Sequence, residues 1–198
     1  MMTAVRNTTL LSICLVLSAC HSIRITEPDR TATEQLLLST ATDKAVRDID
    51  LKELAGKRVF FDKTYFKSYD EGYAMGSIRE LLAKNGALLV NDMESSDIVV
   101  EARSGALGID SRDSLFGIPE LAVPIPFAGQ IQSPELAIYK AQHADSTARF
   151  ALLAYETKSG EFVHATGSMV GKSKFYHYKI LGFINWRVTN IPEQKPGS

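Results

Sequence analysis

Cysteine is almost missing from this chain: 198 residues carry two, Cys14 and Cys20, beside a single tryptophan. Two cysteines cannot build a disulfide framework or a four-thiolate zinc site. An excess charge of either sign is missing too. The 22 basic and 23 acidic residues leave −1, and losing Arg6 with an N-terminal signal turns −1 into −2. No field of one sign exists to recruit nucleic acid or an acidic surface. Long apolar runs are also lacking. The stretch from Leu10 to Ala19 is about half of the roughly 20 residues that a membrane-spanning helix needs. There is no GxSxG elbow, no HExxH, no internal repeat and no low-complexity tract. Glu101, Glu120, Glu135 and Glu156 carry no spacing that marks them as catalytic, since paired glycosidase carboxylates leave no reliable sequence signature.

What is present begins at the N-terminus. Met1 to Asn7 hold one charge, Arg6, and LLSICLVLSACHS (residues 10–22) follows. A short basic segment, a short apolar segment and a small-residue ending describe a secretory signal peptide. Leu17-Ser18-Ala19-Cys20 resembles the bacterial lipobox, in which a branched apolar residue and two small ones precede Cys. The resemblance implies acylation of Cys20, cleavage before it, and acylation of the freed amine. Two or more acyl chains, palmitate among them, would hold the protein to a membrane without spanning it. Cys20 sulfur would then be thioether-linked, and thiol catalysis, a CxxC pair and thiolate metal binding are excluded together. His21 follows Cys20 where an Asp would imply retention in a Gram-negative inner membrane. The expected address is therefore the periplasmic leaflet of the outer membrane.

The expected organisation is a signal peptide over 1–19, a lipid-anchored tether over 20–30, one domain over 31–190 and a tail over 191–198. Thr31 with Glu34 fits a capping box opening an amphipathic helix through Leu37, Ala41 and Ala45, ending before Gly56. KRVFFDKTYF (57–66) reads as a strand. YAMGSIRELLAKN follows Asp70 as a second helix, closed by Gly86 at the position that commonly turns left-handed. ALLVN (87–91) and DIVVEARSGAL (97–107) are strands, the latter alternating apolar and polar residues. After a long irregular segment come strands at 135–143, 147–157, 161–170 and 173–186. TARFALLAYET is apolar on both faces, as a central strand would be. The fold class is α+β: a single domain, a mostly antiparallel sheet, two helices packed on one face and a long apolar loop.

Two segments, SIRELLAKNGALLVN and SSDIVVEARSGAL, together resemble the periplasmic domains of curli-secretion-type assembly lipoproteins, with Ser96 where that pattern has Ala. Over its whole length the chain is similar to a family of bacterial lipoproteins of unknown function, through TATEQLLLS (31–39) and GIPELAVPIP (117–126). That likeness implies an address and no chemistry.

The candidate working segment is Gly105 to Pro134, with four Pro and four Gly among large apolar residues. Loops of that length are usually functional or disordered, and this one is too apolar for disorder. It either covers one end of the core or offers Phe116, Leu121 and Phe127 to a partner. Asp110 and Asp113 are two oxygen donors, short of the six to eight that calcium takes. KSKFYHYK (172–179) interleaves Lys172, Lys174, His177 and Lys179 with Phe175, Tyr176 and Tyr178. It is either a strand with a cationic outer face or a surface for lipid headgroups. His143, His164 and His177 fall on different strands.

The function expected is a lipid-anchored, non-enzymatic binding or assembly subunit of the cell envelope. An envelope hydrolase with a site assembled in space, or a carrier of an apolar ligand, are the alternatives. No catalytic residue, metal or cofactor is expected. The expected partners are the membrane through Cys20, an envelope protein or polymer, and a second copy of the chain, but not nucleic acid.

Overall fold

A computed structural model describes residues 30–47, 49–68, 70–125 and 129–192. Cys20, Phe127, the expected signal peptide, residues 20–29 of the expected tether and residues 193–198 lie outside the described residues. From Ala32 onward the chain clusters as one compact unit, while Arg30 and Thr31 fall to the N-terminal one.

Helix α1 (Ala32–Val46) buries Leu37, Leu38, Ala41, Thr42 and Ala45, the stripe that the 3.6-residue period predicts. Strand β1 (Arg58–Tyr65) follows a short 3-10 turn at Lys52–Leu54. Helix α2 (Glu71–Lys84) buries Ala74, Met75, Ile78, Leu81 and Leu82. It ends as expected: Gly86 has φ 87°, its N–H donates to Ala83, and the Ala87 N–H donates to Leu82. Those two bonds satisfy carbonyls that the helix itself leaves free, and only a residue tolerant of positive φ can make them. Strand β2 (Leu88–Val90) then lies parallel to β1.

β3 (Ile98–Ile118) and β6 (Leu136–Glu156) are each 21 residues long and pair antiparallel almost throughout. Between them sits a small hairpin of β4 (Ala122–Ile125) and β5 (Gly129–Gln132). β7 (Phe162–Ala165) and β8 (Met169–Ile180) pair in succession along β6, and β9 (Ile184–Thr189) pairs with β8. The sheet order is β2-β1-β3-β6-β8-β9, with β7 beside β6. β1 is parallel to both its neighbours and every other pair is antiparallel. The fold is thus a single α+β domain, mostly strand.

Both helices cover one face of the sheet. Their apolar stripes meet Val59, Phe61, Val100, Ala102, Phe150, Leu152 and Ala154 in one core cluster. At roughly 1.5–3 kcal/mol for each large side chain removed from water, this body carries most of the stability. Strand 147–157 is central, as expected, but only one of its faces is sealed: Leu152 is 3% exposed and Leu153 39%.

The segment expected to be a long irregular loop is the main correction. Residues 105–118 continue β3, and the two strands expected at 135–143 and 147–157 are one strand, β6. Beyond Ser146 and Ser173, where α1 ends its cover, the sheet goes on as an arm of β3, β6, β8 and β9. The ten β6 residues 136–145 extend it by roughly 33 Å at about 3.3 Å per residue. Sequence alternation missed this because neither face of the arm is buried in a core, so DSRDS reads as a turn. Its strand state comes from backbone pairing with residues some 30 positions away.

Candidate functional site

Register makes the arm two-faced. Residues paired across strands point the same way, so each cross-strand row belongs to one face. On the face away from the helices, the row nearest the body is Asp110, Asp145 and Lys174. Next comes Arg112, His143, Tyr176 and Val188; then Ser114, Ala141, Tyr178 and Trp186; then Phe116, Tyr139, Ile180 and Ile184. From body to tip, the first two rows hold the charges, with Arg112 in the second beside His143 and Tyr176, and the two rows beyond are uncharged and hold Tyr178, Trp186, Phe116 and Tyr139. On the helix-side face the corresponding outer rows are Asp113, Gln142, His177 and Arg187, then Leu115, Lys140, Lys179 and Asn185. One face of the outer arm carries no charge, and the other carries four formal charges and a histidine.

The aromatic face is held by specific contacts. Tyr178 and Trp186 stack with ring centroids 5.1 Å apart. His143 lies 4.4 Å from the Tyr176 ring, and its Nε2 shares a hydrogen bond of 3.1 Å with Tyr178 Oη. Tyr176 Oη donates to Asp145 at 2.7 Å and Arg112 donates to the other carboxylate oxygen at 2.9 Å. The Tyr176 hydroxyl, then Arg112, holds the Asp145 carboxyl below its ordinary value, and the same bond raises the Tyr176 phenol. Lys174 sits 5.5 Å above the Tyr176 ring. These contacts fix the boundary between the charged rows and the apolar ones.

Among the expected partner residues, Phe116 is 67% exposed on the last of these rows, and Leu121 is exposed just before β4. Phe116 belongs to a surface that sequence reading did not assemble, since Tyr139, Tyr178, Ile180, Ile184 and Trp186 complete it. The segment KSKFYHYK is a strand, β8, whose tyrosines lie on the aromatic face while Phe175, His177 and Lys179 lie on the other. Asp110 and Asp113 also separate by register onto opposite faces, which removes the calcium reading. The three histidines do not converge either: His143 and His177 point to opposite faces, and His164 sits on β7 with its Nδ1 3.7 Å from Glu53.

The arm also has two open edges among the described residues. β1 accompanies β3 only as far as Arg103, and β9 has one neighbour, β8. No described helix is long and apolar enough to cross a membrane. Compared with known proteins, the chain matches, over residues 17–192, the model of a family of unknown function, DUF6655. No curated protein matches it.

Proposed function

The chain belongs to this family of unknown function, and from its own geometry we propose a lipid-anchored, non-enzymatic assembly subunit of the cell envelope whose β-arm enters lipid beside copies of itself. The observation that carries this reading is the order of rows on the aromatic face. A charged row, a row in which Arg112 joins His143 and Tyr176, and uncharged rows rich in aromatic and apolar residues beyond them follow the polarity of a bilayer interface from water inward.

The second face decides the company the arm keeps. Asp113, Arg187, Lys140 and Lys179 cannot face lipid tails, and an open strand edge cannot lie in hydrocarbon with its N–H and C=O groups unpaired. Pairing the β3 edge of one copy with the β9 edge of the next satisfies both demands. Such head-to-tail contacts close into a ring, with aromatic faces outward and charged faces toward a shared interior. The lipobox at Leu17–Cys20 would tether each copy to the same membrane, and His21 favours the outer one. The likeness to assembly lipoproteins agrees with a subunit role. A carrier would need the 105–134 segment folded over the core; its paired strands run outward.

Trp186 supplies the test, because it is the chain's single tryptophan and lies on the aromatic face. Full-length protein mixed with vesicles of phosphatidylethanolamine and phosphatidylglycerol should show blue-shifted emission, quenched by brominated acyl chains. Cross-linking should give a ladder of copies only with vesicles present. Phe116→Asp with Ile184→Asp should abolish the shift and keep the fold. Emission indifferent to lipid would overturn the membrane reading.

A further inference from the structure

Where the body becomes the arm, β6 loses regular neighbours on both sides. On one side β3 carries a bulge between Ser104 and Ala106. On the other, β7 ends at Ala165 and β8 begins at Met169, with Gly167 at φ 66° turning the chain between them. The two irregularities face each other across Arg149, Phe150 and Ala151. Together they open a cavity of about 190 Å³ lined by Arg103, Ser104, Gly105, Arg149, Ala151 and Ser168 around Phe150.

The cavity is open to solvent: two exposed arginines, Arg103 and Arg149, line it, and no carboxylate does. Arg149 Nε donates to Ser168 Oγ at 2.7 Å, which fixes the plane of its guanidinium and leaves its terminal N–H groups free for another acceptor. Its stem crosses the bulge at Gly105, where an added Cβ would press on Arg149 Cγ and Cδ at 3.3 Å. Elsewhere on the same sheet, Arg58 holds Asp97 and Arg112 holds Asp145. Arg103 and Arg149 form no ion pair among the described residues. The nearest acidic positions on that face, Glu101 and its β1 partner Asp62, lie one row into the body beside Leu153, and Tyr65 and Val170 flank the two arginines across the sheet.

We propose that this cavity binds the phosphate group of a small soluble molecule, held between Arg103 and Arg149. Two unneutralised guanidiniums call for a dianion, which a phosphate monoester supplies near pH 7 and a single carboxylate does not. A guanidinium fork matches phosphate oxygens two at a time. The position argues for a soluble source. Arg149 lies six positions from His143 along β6, roughly 20 Å, so the cavity is remote from the rows assigned to lipid. It would load each copy in the aqueous phase, whether or not the arm is inserted.

Calorimetric titration of full-length protein in detergent with inorganic phosphate tests this directly. Saturable binding is expected, weakened about tenfold or more by Arg103→Gln and again by Arg149→Gln, since a hydrogen bond to a charged group contributes about 1.5–3 kcal/mol. Gly105→Ala should also weaken it by displacing the Arg149 stem with both charges kept. Lys172→Gln, a lost cation on the same face outside the cavity, should leave it unchanged. Melting temperatures in chloride should match across the set. Phosphate binding that survives both arginine changes, falls equally with Lys172→Gln, or never saturates overturns the site. Binding to phosphatidylglycerol vesicles that vanishes in the arginine variants, with the Trp186 shift lost, would overturn the soluble source and make it a headgroup site.

Discussion

Gly171 on β8 lies directly beneath Ala41 of α1: a Cβ added there would run into the Ala41 carbonyl and the Ala45 amide. Helix and sheet therefore touch backbone to backbone at the point where the arm leaves its cover. Two residues further out along β8, Ser173 Oγ donates to the Leu37 carbonyl at 2.7 Å. Gly171→Ala should force α1 away from the sheet and cost about 1–3 kcal/mol or more, as overpacking does. Urea midpoints check this, and an unchanged midpoint would mean that α1 does not sit so close.

The one-sided burial of β6 gives a paired prediction. Leu152→Ala should cost about 2–5 kcal/mol, because it empties a sealed core position. Leu153→Ala, one residue on and on the open face, should cost less than about 1 kcal/mol by the same area reasoning. Equal losses would place the core on both sides of the sheet.

Ser146 and Ser173 face each other across β6 and β8, both buried, and differ in one respect. Ser146 Oγ has no hydrogen-bond partner among the described residues, whereas Ser173 has Leu37. Ser146→Ala should leave stability equal or raised by up to about 1 kcal/mol, and Ser173→Ala should lower it by about 1 kcal/mol or more. Thermal melts should show the Ser173 variant lowered and the Ser146 variant not.

Asp97 opens β3 by accepting from the Arg58 backbone N–H at 3.0 Å and from its guanidinium at 2.7 Å. The side-chain bond to Arg58, then the backbone one, holds the Asp97 carboxyl at about 2, against an ordinary 3.8. A lowered folded value means that the stabilisation is fully present above the unfolded value and is lost as pH falls from there through about 2. Asp97→Asn should therefore be less stable than wild type at pH 6, with the gap closing between pH 4 and 2. A gap that stays constant over that range would rule out the ionised pair as its source.

The body was legible in the sequence because its elements carry their own signals. The Leu37–Ala41–Ala45 stripe, Gly86 after α2 and the alternation from Ile98 to Ala102 each reflect a local demand: burial on one face, or a left-handed turn. Nothing local marks the arm. Residues 105–118 and 136–145 are strands because each supplies the other's backbone hydrogen bonds, and pairing across so many intervening residues leaves no short-range pattern. The aromatic face is likewise a product of register: Phe116, Tyr139, Tyr178 and Trp186 lie on four strands, and only the pairing brings them to one surface. The cavity at Arg103 and Arg149 depends on a bulge and a strand break meeting across β6, which no spacing encodes. Composition and the resemblance of Leu17–Cys20 to a lipobox carry the expectations about what this chain excludes and where it resides. The tertiary pairing alone decided which surface it presents, because a β-sheet assigns faces through partners that are distant in the chain.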